Sequence, residues 1–113
     1  MGALAVALGA FGAHALKGML EASGRTEVYK TAVSYHFYHT FALLAVGILM
    51  NQFASAKLRY ASIFFLTGII LFSGSLYALC FTGIGILGVI TPIGGVVFIL
   101  GWVFLALSFL EEK

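Results

Sequence analysis

From Ala61 to Leu110 the chain carries no Asp, Glu, Lys, Arg or His. One bilayer crossing takes roughly 20 apolar residues, so an uncharged run of about fifty must cross twice. A soluble helix keeps one polar face, and here only scattered Ser, Thr and Gly interrupt the apolar side chains, which leaves no face for water. The rest of the chain follows the same pattern: 62% of its 113 residues are hydrophobic and 9% charged, against about a quarter charged in a soluble domain. The expected fold class is all-α, a single transmembrane domain over 1–113. Its four helices, at about 2–20, 32–50, 60–80 and 92–110, pack as antiparallel up-down neighbours through glycine-rich interfaces. The lipid bilayer is its first partner.

The formal net charge is +2, and the six basic residues are spread over two loops and a tail without forming a cluster. Phosphate backbones are held by such clusters, so nucleic acid is not an expected partner. Cys80 is the only cysteine and sits in an apolar stretch, where packing is its expected role. Ala13-His14-Ala15 has the small-x-small look of a signal-peptide cleavage site, but no basic region precedes the apolar run, so the segment is expected to stay. Continued through Leu20, it reaches about 30 Å at ~1.5 Å per residue, enough to span if Lys17 snorkels.

In the first helix Ala5, Gly9 and Ala13 recur every fourth residue, a small-residue stripe on which a neighbouring helix can pack closely. Polar residues place aqueous connections at 21–31 and 51–59. The third connection, 81–90, holds Gly83, Gly85 and Gly88 without a charge, which suits a tight, partly buried turn. Thr91 and Pro92 read as the N-cap and first residue of the last helix. Lys17, Arg25 and Lys30 on one side balance Lys57, Arg59 and Lys113 on the other, so the positive-inside rule is nearly silent. The wholly basic second loop inclines the reading toward both termini inside.

All three histidines fall in the first third: His14 near the end of the first helix, His36 and His39 early in the second. Antiparallel neighbours would bring them toward one interface. His36 and His39 are three residues apart, about 60° around a helix, a spacing with which one helix supplies two metal ligands. Imidazole suits zinc, copper or haem iron, with Tyr35 and Tyr38 close by and Glu21 or Glu27 as a carboxylate. Against this stands the interfacial aromatic belt, which histidine with Tyr29, Tyr35 and Tyr38 at a helix entry also matches. A proton relay or quinone contact is a third reading. Ser73, Ser75 and Thr67 fit interhelical hydrogen bonds better than a polar path. Gly83 to Gly88 lacks the Lys-Ser/Thr ending of a phosphate loop, and no nucleophile has a base beside it.

The runs LAVALGAFGAHAL (4–16), YHFYH (35–39), FSGSLY (72–77) and ITPIGG (90–95), followed by Gly101-Trp102, occur in this order. Together they resemble the small membrane family catalogued as domain of unknown function 423, which includes YgdD-like bacterial proteins and has animal relatives. The resemblance covers nearly the whole chain. It implies a four-helix protein of the bacterial cytoplasmic membrane without an assigned biochemical role. The motif positions it carries over are Gly9, Gly12, His14, Tyr35, His39, Ser73, Gly74, Tyr77, Thr91, Pro92, Gly94 and Gly95. His36 departs from the family pattern, where Gln is common, and this moves the ligand expectation from His36 to His14 with His39. Family members also begin with more apolar residues, so Met1 reads as a trimmed or late start.

Two functions follow as expectations. The first is a non-catalytic structural or accessory membrane component, as a homo-oligomer or within a larger membrane complex. The alternative is a small metal- or haem-binding, redox-associated protein. In it His14, His39 and His36 are the ligands, and Tyr35 and Tyr77 the supporting donors. A transport role would need buried charges or internal repeats, which the chain lacks.

Overall fold

With no water in a bilayer core, every backbone N–H and C=O must be satisfied within the chain, and helices do this locally. The computed structural model of the protein describes residues 1–110, and among these there is helix but no strand. Lys113, which entered the charge balance with Glu111 and Glu112 beside it, lies outside the described residues. In chain order the helices are α1 (Gly2–Ala13), α2 (Lys17–Ser23), α3 (Thr26–Met50), α4 (Ala56–Gly68), a five-residue π-helical segment (Ile69–Ser73), α5 (Gly74–Thr82) and α6 (Leu87–Leu110). Three elements are long and apolar enough to cross a membrane: α3, the continuous helix Ala56–Thr82, and α6. Their outward faces are apolar too, with Phe41, Ile70 and Ile99 among the exposed side chains.

The first predicted helix is not continuous. It breaks at residues 14–16, and α2 leaves α1 at 71°. No residue there is a helix breaker, so packing sets the bend. Gly12 already lies against Tyr29, and α3 begins only at Thr26. A straight continuation would therefore run past the end of α3 and strand Leu20 in the open. Turning back buries Leu20 with Tyr29 and Cys80. Gly24, at φ 70°, then ends α2 in the left-handed conformation that glycine adopts without a Cβ penalty.

The other ends also move from their predicted places. Residues 26–31, expected as loop, form the opening turns of α3, where Glu27 meets the positive end of the helix dipole. Ser55 caps α4, its hydroxyl accepting the Leu58 N–H at 3.4 Å, so Lys57 and Arg59 belong to a helix. Pro92 lies inside α6, not at its start. The helix reaches back to Leu87, and the turn before it closes through i to i+3 bonds, Leu87 N–H to Ile84 O at 3.1 Å and Gly88 N–H to Gly85 O at 3.0 Å. The connection itself is a short turn, and Ile84 and Ile86 stand exposed where a partly buried turn was expected.

Small residues set the packing. Gly2 faces Thr40, Gly9 faces Val33 and Gly12 faces Tyr29, so α1 runs antiparallel to α3. The seam is Ala5, Gly9 and Gly12, and Ala13 is exposed. Each four-residue step advances about 40° beyond one turn, so a third member at 13 rotates off the face while one at 12 returns to it. Along the other interface Gly68 faces the Phe98 ring, Gly101 the Phe65 ring, and Gly94 the backbone of Leu71 and Phe72. Ala42, Val46, Leu58, Ala61, Phe65, Ile69 and Phe98 form the apolar core between α3, the 56–82 helix and α6.

Candidate functional site

The polar centre of the bundle is assembled from the glycine sockets upward. Because Gly68 and Gly101 carry no Cβ, the rings of Phe98 and Phe65 come up against the opposing helices. These rings border His39, near the middle of α3. The His39 imidazole stacks on Phe98 with centroids 3.5 Å apart and planes 9° from parallel, and is 5% exposed. Its Nδ1 lies 2.9 Å from the Tyr35 carbonyl oxygen. A carbonyl can only accept, so Nδ1 carries the proton and Nε2 is left with a lone pair. That lone pair accepts the indole N–H of Trp102 at 3.0 Å, tying α3 to α6.

His36, one turn earlier, is 1% exposed. Its Nδ1 is 3.0 Å from the Tyr77 hydroxyl, a bond from α3 to α5. Its Nε2 is buried with no hydrogen-bond partner among the described residues. Further hydroxyls tie the same helices together. Ser73 Oγ, at the end of the π-helical segment, donates to Ala32 O at 2.7 Å, and Ser75 Oγ meets Thr91 Oγ1 at 2.6 Å. The wider turn of a π segment rotates the side chains that follow it. Here it ends at Ser73, which serves α3, two residues before Ser75, which serves α6. Tyr29 Oη donates to Leu8 O at 2.6 Å and fastens α1 to α3.

The predicted residues therefore separate into groups. His36 and His39 are buried near the middle of α3. His14 is exposed at the end of α1. The antiparallel register puts it about 18 Å along α3 from His39, at ~1.5 Å per residue. Tyr35 supplies its backbone oxygen to His39 rather than its phenol, and Tyr77 serves His36 rather than His39. Among the described residues no three His, Cys, Asp or Glu side chains are placed to hold a metal ion. Cys80 is buried and reduced, beside Leu20 and Tyr29. Sequence reasoning missed Trp102 as a partner. Its signal was the need of an indole N–H in lipid for an acceptor, in a helix without an acidic or histidine side chain.

The long apolar helices and their outward apolar faces define a multi-pass membrane protein. The comparisons place it further. A family profile described as "Protein of unknown function (DUF423)" matches residues 8–95, and the chain belongs to this family. It is 44% identical over 106 residues to the UPF0382 membrane protein YwdK of Bacillus subtilis, covering 93% of this chain and 85% of the relative. It is also 44% identical over 115 residues to a UPF0382 membrane protein of Haemophilus influenzae (99% and 89% covered). To the UPF0382 inner membrane protein YgdD of Escherichia coli it is 36% identical over 114 residues (99% and 85% covered). No solved structure matches. The protein is accordingly a multi-pass protein of the bacterial cytoplasmic membrane.

Proposed function

We propose that the chain is a four-span antiparallel bundle with a structural or accessory role and no catalysis of its own. In this reading the bent pair α1–α2 is the first, broken crossing, and the bundle acts as a homo-oligomer or as a component of a larger membrane complex. The observation that carries the reading is His39. Both of its nitrogens are committed to joining α3 internally and to α6, so no lone pair remains for a ligand. The interhelical bonds of Ser73, Ser75 and Tyr29 point the same way, since these hydroxyls are spent on assembly.

The metal- or haem-binding alternative has less support, because His14 lies at the end of α1 while His36 and His39 are enclosed. Within that alternative His36 holds the strongest position, with its Nε2 unpartnered while its Nδ1 is held by the Tyr77 hydroxyl. The test is an absorption spectrum with metal analysis of detergent-purified wild type, His14→Ala and His39→Ala proteins, read beside their thermal stability. We expect no histidine-dependent metal or chromophore, a lowered melting temperature for His39→Ala, and wild-type behaviour for His14→Ala. About one equivalent of bound metal or haem in the wild type, lost in either variant or in His36→Ala, would overturn the proposal.

A further inference from the structure

The 71° bend between α1 and α2 opens a notch against the start of α3, a cavity of about 450 Å³. Its inner wall is mostly apolar, formed by Gly9 and Gly12 of α1 with Val33 and Tyr29 of α3, the Tyr29 ring lying against Gly12. Its mouth is charged: Lys17 and Glu21 come from α2, and Lys30 from α3. All three are exposed, and Lys30 makes only a loose ion pair with Glu27 at 3.9 Å. The notch sits at the level of the first turn of α3, beside the polar α2–α3 connection, which is where headgroups meet the hydrocarbon.

We infer that this notch is a binding site for a zwitterionic phospholipid with a primary ammonium headgroup, of the phosphatidylethanolamine kind. Two ammonium groups and one carboxylate around one opening complement a phosphate diester followed by a cation. Lys17 and Lys30 take the phosphate, and Glu21 accepts the N–H bonds of the lipid ammonium. An acyl chain lies along Gly9 and Val33 at the back of the notch. A purely anionic headgroup would satisfy the lysines but set its charge beside Glu21. A quaternary ammonium has no N–H to give.

The full-length protein in detergent, titrated with dioleoyl phosphatidylethanolamine, phosphatidylglycerol or phosphatidylcholine and read by native mass spectrometry, tests the inference. Partly exposed ion pairs are weak, so the ethanolamine lipid should be retained about fivefold better than the other two. Glu21→Gln should abolish the preference over phosphatidylcholine. Lys17→Gln/Lys30→Gln should weaken both lipids, while Arg59→Gln on the opposite side leaves the ranking unchanged. Free phosphoethanolamine at the same concentration should not compete. Equal retention of the three lipids overturns the inference, as does a preference for phosphatidylglycerol, which would mark a plain anion site. Competition by the soluble headgroup would assign the notch to a water-soluble ligand and likewise refute a lipid site. The wild-type ranking decides the matter even if a variant fails to fold.

Discussion

Gly94 and Gly95 are adjacent in one helix, yet alanine at each should act in opposite directions. A Cβ on Gly94 would lie 2.5 Å from the backbone nitrogen of Phe72 and 2.8 Å from its Cα. Ordinary contact begins at 3.4 Å, so α6 must step outward by about 0.9 Å, because the obstacle is backbone and cannot rotate away. A gap of that size forfeits roughly a quarter to a half of the dispersion energy of the atoms it separates. Overpacking of this kind costs about 1–3 kcal/mol. At Gly95 the same Cβ meets only Phe72 ring atoms at 3.9 Å, an ordinary contact. Both changes gain up to ~1 kcal/mol of helix propensity. Gly94→Ala should therefore be destabilised by up to about 2 kcal/mol, and Gly95→Ala neutral to slightly more stable. Reversible unfolding in mixed micelles by added dodecyl sulfate, followed by circular dichroism, measures both. Equal midpoints, or a more stable Gly94→Ala, would refute the close approach of α6 to the π-helical segment.

Three further expectations concern single contacts. A double-mutant cycle of Trp102→Phe and His39→Leu should return a coupling of about 0.6–1.7 kcal/mol by the same unfolding assay, the range of interhelical hydrogen bonds in lipid. Additive effects would mean that the 3.0 Å bond does not join the helices. Gly12→Ala should destabilise by about 1–3 kcal/mol, since its Cβ would enter the Tyr29 ring, which the bond to Leu8 O holds in place. Gly18→Ala, with nothing within 4 Å, should be silent in the same assay. Ser75→Ala should leave the Thr91 hydroxyl without its partner across α5 and α6 and lower stability by about 1 kcal/mol. The loss should be smaller in Ser75→Ala/Thr91→Val, where both polar groups are gone.

What could be read from the residues was whatever the solvent dictates. Lipid accepts no bare charge and no unpaired backbone, so the run from Ala61 to Leu110 spoke for membrane helices before any packing was known. The resemblance added the family, and the expected hydroxyl bonds of Ser73 and Ser75 proved to be interhelical. Helix ends were less legible. Residues 26–31 look polar, but charged side chains at a membrane interface are compatible with helix, and Glu27 even favours its start. Pro92 looked like a boundary because sequence rules weigh the missing donor and cannot see that the turn before it closes through i to i+3 bonds.

The amino-acid sequence by itself determined the solvent of this protein, its helical class and the glycines that let helices approach. Which partner each helix meets was decided only by tertiary structure. His39 and Trp102 are 63 residues apart, and their bond exists because the glycine sockets at 68 and 101 let two phenylalanine rings frame the imidazole. His14 and His39, which share a family motif set, were parted by the antiparallel register of α1 on α3. The bend at residues 14–16 falls where α3 begins, at Thr26, and it turns Leu20 back to cover beside Tyr29 and Cys80. Local propensity acts over a turn or two, whereas register and burial are settled by the whole set of faces that must close on one another.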